Sequence, residues 1–160
     1  MTAEWNGVAN RCDPVLRFIM LDIDGVLCIR SNRAILDPEC VQALNLITAT
    51  TGANIIISSG WRHYHPMDKL VRLLADRGIT GRILGKTDSY SLNRGYEIQK
   101  WLDFNAAEPW QIVILDDYND MDDLCCRLVQ TDPERGLTRQ DALQAIRMLR
   151  GEQTHGIDVP

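Results

Sequence analysis

Two aspartates two positions apart, Asp22 and Asp24, stand in the segment Asp22-Ile23-Asp24-Gly25-Val26, directly behind the apolar run 16–21. Carboxylates so spaced at a strand end, ahead of a glycine turn, can share one divalent cation, and one of them can attack phosphorus. An aspartate nucleophile forms an acyl phosphate and splits a difficult hydrolysis into two easier steps, while its neighbour protonates the leaving oxygen and then activates water. Turn formation alone would also account for such a segment. A second acidic group weighs against that plainer reading: Asp116-Asp117, with Asp120 close by, ends another apolar run, 110–115. Two unneutralised carboxylate clusters facing one pocket repel strongly, so a cation is expected between them. Oxygen-only ligands suit magnesium, whose octahedral shell keeps waters and accepts phosphate oxygens from a substrate.

Ser58 closes a third apolar run and offers a hydroxyl and a backbone N–H to a phosphoryl oxygen. Phosphoryl transfer also calls for a positive side chain, and Arg94 is the first choice because it opens a predicted helix, whose N-terminus favours an anion as well. Lys86 and Lys100 compete for that role. Trp61, Arg62, His63 and His65 follow Ser58 and are candidates for a substrate lip, with Trp61 stacking on a base and Arg62 binding a second phosphate. Core packing of Trp61 with surface histidines is the alternative. His155, in the tail, is read as incidental.

The elements that must position these residues can be read from periodicity. The run 16–21 is continuous apart from Arg17 and short enough for a strand buried on both faces. Asp37-Pro38 supplies an N-cap and a first helical position, Cys40, Ala43, Leu44 and Ile47 an apolar stripe, and Gly52 a stop, which predicts a helix over about 38–50. Residues 53–57 form the next strand, and Leu70, Leu73 and Leu74 mark a helix ending near Gly78. The stretch 79–93 reads as a polar connection. Ile98, Trp101 and Leu102 then fall at helical spacing, 110–115 and the region near 127–131 read as strands, and Thr138 caps a last helix whose expected core face is Leu143, Ile146 and Leu149. Strands alternating with helices imply a parallel α/β sheet, in which ligands bind beyond the carboxyl ends of the strands. Asp22, Ser58 and Asp116-Asp117 all fall there.

With 160 residues and 45% hydrophobic content, one domain is expected over 1–160, with its core over about 15–150. No stretch approaches the roughly 18 apolar residues of a membrane span, and MTAEWNGVANRCDP lacks the basic and apolar regions of a signal peptide, so a cytosolic protein without a membrane partner is expected. Cys12, Cys28, Cys40, Cys125 and Cys126 show no metal-ligand spacing, and free, mostly packed thiols are expected rather than a disulfide framework or a zinc site. The net charge of −5 gives no general attraction to nucleic acid or anionic membranes, although a local basic patch is compatible with it.

DIDGV at 22–26, the serine at the second strand end, the basic residue opening a later helix and the aspartate pair at 116–117 resemble, in order, the four motifs of the haloacid dehalogenase (HAD) superfamily over about residues 16–131. The resemblance implies a three-layer, Rossmann-like parallel sheet flanked by helices. It implies that Asp22 is nucleophile and metal ligand, that Asp24 is general acid and base and offers its backbone carbonyl to the metal, and that Ser58 and Arg94 hold the phosphoryl group. Asp117 would complete the magnesium site with Asp116 and Asp120 behind it, and Ser59 could exchange roles with Ser58. An aspartate at position 24 separates phosphatases and phosphotransferases from the dehalogenases and transport ATPases that lack it. Receiver domains also carry acidic pairs, but place the phosphoacceptor on a later strand than the pair. SSGWR at 58–62, RGYEIQKWL at 94–102 and TDPERGLT at 131–138 further resemble the compact HAD phosphatase domain of Swiss-army-knife RNA repair proteins and, distantly, polynucleotide kinase phosphatases. Segments 25–52 and 79–93 leave no room for a large cap domain, so an open site is expected. A magnesium-dependent phosphomonoesterase acting on nucleic-acid 3′-phosphate ends is the favoured function, with a nucleotide or small-molecule phosphatase second. A non-catalytic binding or regulatory module is the reading of another class, against which Asp22, Asp24 and Asp117 argue.

Overall fold

Four-residue apolar strands such as Phe18–Leu21 (β1) and Asn54–Ile57 (β2) are stable only when both faces are covered, and the chain covers them with helices. The computed structural model describes residues 15–89 and 93–152; Cys12 and His155 lie outside the described residues. Between β1 and β2 runs α1, Pro38–Thr51, capped as the sequence predicts: the Asp37 side chain accepts from the Glu39 and Cys40 N–H groups, and Gly52 ends the helix in the left-handed region at φ 70°. Next come a 3₁₀ turn at Gly60–His63, α2 at Met67–Asp76, β3 at Ile83–Lys86 and α3 at Arg94–Phe104. Strand β4, Ile112–Asp116, leads through a 3₁₀ stretch at Asp122–Arg127 to β5, Leu128–Gln130, and α4, Arg139–Leu149, begins with a capping box between Thr138 and Asp141.

All strand pairs are parallel and the order is β3-β2-β1-β4-β5. The chain therefore winds outward in one direction from β1 and then in the other, leaving a crevice at the carboxyl ends of β1 and β4. Alternation along the strands splits the core into two layers. Ile19, Leu21, Ile57 and Leu115 pack with residues of α1, α2 and α4, whereas Met20, Ile56 and Ile114 pack with Ile98 and Leu102 of α3. The result is the expected three-layer α/β sandwich. Among the described residues the strand-to-helix connections hold only loops and short 3₁₀ turns, and no large cap is inserted.

Three expectations need correction. The stretch 79–93 is not only connection: it contains edge strand β3, hidden from sequence by its brevity, by Gly85 and by its half-buried pattern. Trp110 does not belong to a strand but to a 3₁₀ turn, Pro109–Gln111, and is 54% exposed. Leu143 does not face the core; it is 40% exposed, and the small Ala142 and Ala145 take the inward positions beside Ile146 and Leu149. Small residues there let α4 lie close to α1, which burial of Leu143 would prevent. Cys28 and Cys40 are buried and free, while Cys125 and Cys126 are free and exposed, so packing holds for only half of these four described thiols. No helix among the described residues is long and apolar enough to cross a membrane.

Candidate active site

The site grows from one row of the sheet. Leu21 is level with Ile57 and Leu115, and Ile57 with Lys86, so the next residues on these strands are Asp22, Ser58, Asp116 and Thr87. Their N–H groups prolong the ladder: Asp22 donates to the Leu115 carbonyl at 3.0 Å, Ser58 to Leu21 at 2.9 Å and Thr87 to Ile57 at 2.9 Å. Strand alternation turns this row away from Leu21, Ile57 and Leu115 and toward α3. All four residues are buried.

Asp22, Asp116 and Asp117 each bring a carboxylate oxygen within 4.8 Å of the others. Asp22 Oδ1 accepts from the Ile23 N–H at 2.9 Å, and Asp116 Oδ1 accepts from the Tyr118 N–H at 2.9 Å. Burial pushes the Asp22 carboxyl up to about 8, with Asp116 repulsion adding to the rise and Arg94 opposing it. Burial likewise raises Asp116 to about 6 against the pull of Arg94. Several buried polar atoms of this crevice have no hydrogen-bond partner within the protein: Ser58 Oγ, Thr87 Oγ1, Arg94 Nη1, Asp116 Oδ2 and Asp117 Oδ1. Such gaps are rare in folded proteins. Acceptors from carboxylates beside donors from Ser58 and Arg94 fit a hard cation and an anionic group bound side by side.

Two glycines allow the close approach. Gly25 adopts φ +79°, and a Cβ on it would stand 2.6 Å from Asp117 Oδ2; its carbonyl is held by the Thr131 hydroxyl at 2.7 Å. A side chain at Gly95 would collide with the Met121 backbone, so glycine there lets the start of α3 dock on the 117–121 loop, with the Gly95 N–H donating to the Asp120 carbonyl at 3.0 Å. Asn93 caps the helix by accepting from the Tyr96 N–H. Arg94 then reaches into the crevice, its Nη1 3.9 Å from Asp22 Oδ1 and its Nε 3.7 Å from Asp116 Oδ2.

The structure brings together Asp22, Ser58, Arg94, Asp116 and Asp117, as the sequence reading expected. It separates others. Ser59 does not join the row: its hydroxyl accepts from the Trp61 N–H at 3.2 Å and caps the 3₁₀ turn. Asp120, expected behind the metal site, points its carboxylate at the Arg94 N–H, 3.4 Å away, which holds the helix that carries Arg94, and its charge adds to the rise of Asp116. Lys86 lies on the opposite face of β3 from Thr87, and the Lys100 ammonium sits 5.2 Å over the Tyr96 ring. Neither matches the approach of Arg94 to the carboxylates. Asp24 is exposed beside the crevice and accepts from the Trp61 indole N–H at 3.0 Å.

Arg62 is not a lip residue. Its Nη1 donates to the Ser58 and Ser59 carbonyls at 2.8 and 2.7 Å, and its Nη2 meets Glu97 Oε2 of α3 at 2.5 Å. A guanidinium this far inside needs a carboxylate partner, and Glu97 is within reach only because α3 covers this end of the sheet. Trp61 is partly buried against the core, as the plainer reading of that residue supposed. Sequence reasoning missed Thr87 and Glu97. A threonine behind a weak edge strand carries no signal, but Glu97 lies three residues after Arg94 on the Ile98 side of the helix, where a carboxylate facing inward could have been suspected.

The family model described as the HAD domain in Swiss Army Knife RNA repair proteins matches residues 18–142, from the first residue of β1 into α4. No curated protein matches the chain.

Proposed function

The chain belongs to the family of HAD domains found in Swiss Army Knife RNA repair proteins, and on that premise we propose that it is a magnesium-dependent phosphomonoesterase working through a phospho-aspartyl intermediate. The observation that carries the reading is the row of unpartnered polar atoms on Ser58, Thr87, Arg94, Asp116 and Asp117 around the Asp22 carboxylate. Carboxylates of Asp22 and Asp117 and the backbone carbonyl of Asp24 are the groups that would hold magnesium, with Asp116 behind them. Bound there, the ion neutralises the crowded carboxylates and draws charge from a phosphoryl oxygen.

In the first step an Asp22 oxygen bonds to phosphorus while the bond to the leaving oxygen breaks, and that oxygen takes the proton of the Asp24 carboxyl. Ser58 and Arg94 bind the remaining phosphoryl oxygens, Arg94 exchanging its distant carboxylate neighbours for the phosphate. In the second step Asp24 takes a proton from water, the water oxygen bonds to phosphorus, and the bond to Asp22 breaks to release inorganic phosphate. Hydrolysis of 4-nitrophenyl phosphate with and without magnesium tests the reading. Asp22→Asn should lower turnover by about six orders of magnitude, as loss of a nucleophile does elsewhere, while leaving the fold intact; turnover retained in that variant would remove Asp22 from its role.

For the substrate we favour a nucleic-acid 3′-phosphate end, supported by the family's occurrence in RNA repair proteins and by the want of a large cap insertion among the described residues. Burial of Arg62 favours a second reading, a free nucleotide or small phosphorylated metabolite, because the second-phosphate contact expected of that arginine is absent. Comparing kcat/KM for a 3′-phosphorylated oligonucleotide with that for the matching 3′-mononucleotide separates the two: a preference for the oligonucleotide supports the first, equality the second.

A further inference from the structure

Asp24 stands apart from the other acidic residues of the site. Its backbone is fixed, bridging Cys28 and flanked by the Gly25 N–H that donates to the Cys28 carbonyl at 2.8 Å, yet its side chain is exposed between the buried Ile23 and Gly25. An exposed aspartate on a loop ordinarily samples several rotamers. Here Trp61 Nε1 donates to Asp24 Oδ2 at 3.0 Å. The indole is itself anchored: it packs against the core layer shared by α1, α2 and α4, its ring leans on His65 with centroids 5.9 Å apart, and its backbone N–H is taken by Ser59 Oγ. A fixed donor thus holds an otherwise free carboxyl.

We infer that Trp61 is a positioning residue for Asp24, fixing the rotamer of the acid and selecting which of its oxygens exchanges protons. An indole N–H donates and never accepts, so it favours Oδ2 as the unprotonated, better-accepting oxygen and with it the acidic proton on Oδ1. When the leaving group departs, the Oδ1 proton passes to the leaving oxygen as its bond to phosphorus breaks. During hydrolysis of the aspartyl phosphate, Oδ1 receives a water proton as the water oxygen bonds to phosphorus and the Asp22 oxygen is released. The inference rests on the phosphatase reading above and concerns only the orientation of its acid.

A leaving-group comparison tests it. Phenyl phosphate expels a basic oxygen that needs a proton, whereas 2,4-dinitrophenyl phosphate expels one that does not. Trp61→Phe keeps the ring but removes the donor, and should lower kcat/KM about tenfold for phenyl phosphate, as expected for one hydrogen bond to a charged or acidic group, and less than about twofold for the dinitrophenyl ester. In an Asp24→Asn background the same substitution should cost nothing further on either ester. An equal loss on both esters, or an undiminished loss in the Asp24→Asn background, would overturn the positioning role in favour of simple structural support. If the wild-type protein is no faster than Asp22→Asn on both esters, the phosphatase reading itself has failed and this inference falls with it. A readout independent of turnover is the Trp61 indole N–H signal in a ¹H–¹⁵N spectrum, assigned through its contacts to His65: it should move in Asp24→Ala, and an unmoved signal would overturn the contact even if Trp61→Phe does not fold.

Discussion

Arg62 and Arg94 are the same side chain, one held against α3 and the other carried by its first turn, and the two are gripped to very different degrees. The Arg62 head is gripped by Glu97 and by the carbonyls of Ser58 and Ser59, at 2.5 to 2.8 Å. The Arg94 head hovers 3.7 and 3.9 Å from two carboxylates, beyond hydrogen-bond distance, with one of its nitrogens unpartnered. The difference separates a strut from a ligand grip. A charge held by close hydrogen bonds to a carboxylate and two carbonyls, even with its Nε left without a partner, stabilises one arrangement of the chain, whereas a charge that makes no close contact in a crevice lined by other unpartnered polar atoms is free to bind something else.

The strongest way to break this comparison is to remove Glu97. Both members of the pair are almost wholly buried, with side chains 4% and 5% exposed, so Glu97→Ala strands a buried guanidinium and should cost about 3–5 kcal/mol of folding stability. Urea unfolding measures it; a loss below about 1 kcal/mol, the range of surface pairs, would mean that Arg62 finds water and is no strut. Arg94→Ala should behave in the reverse manner. Stability should hardly change, while magnesium-dependent hydrolysis of 4-nitrophenyl phosphate should slow by about 10²–10³-fold, as for loss of a donor to developing charge. An Arg94→Ala protein that loses several kcal/mol of stability yet turns over substrate at the wild-type rate where it is still folded would exchange the roles of the two arginines.

A smaller effect sharpens the picture of the carboxylate side. Asp22 is raised from 3.8 to about 8 in the fold, chiefly by burial, so between these values the unfolded chain binds fewer protons than the folded one and stability falls as pH rises. Asp22→Asn removes that penalty. In the presence of a chelator, the melting temperature of Asp22→Asn should exceed that of the wild type by a margin that widens from about pH 4 to about pH 8 and is absent below. Magnesium, binding the folded wild type, should narrow it. A margin constant across this range would mean that Asp22 is not held protonated by its surroundings. The smallest expected difference lies within the aspartate pair: Asp117→Ala should raise the magnesium concentration needed for half-maximal activity more than Asp116→Ala, because Asp116 Oδ1 is already committed to the Tyr118 N–H. The opposite order in a magnesium titration would place Asp116 as the direct ligand.

Much of this was legible along the chain because it is local. The caps at Asp37 and Thr138 and the stop at Gly52 depend on residues within one turn of each other, since a capping side chain reaches only its own first turn. The strand β3 was lost because four residues with a central glycine, half-buried at a sheet edge, carry neither an apolar run nor a clear alternation. Leu143 was misplaced because a helix stripe chosen by hydrophobicity alone overlooks alanines, which are selected inward for size when two helices approach closely.

That Asp22, Ser58 and Asp116 stand at the ends of parallel strands follows from the chain alone, because apolar runs of strand length that stop at a polar residue can be recognised without knowing what they pack against. That Arg94 opens a helix follows in the same way. Which side each residue serves depends on long-range packing. Adjacent residues on a strand face opposite layers, so Ser58 and Ser59, or Lys86 and Thr87, differ in kind only once α3 is known to cover one face of the sheet. The same placement turns Arg62 inward to a carboxylate 35 residues away and leaves Arg94 at the crevice, since burial and partnership of a charge are set by what the fold brings near it and not by its neighbours in the chain.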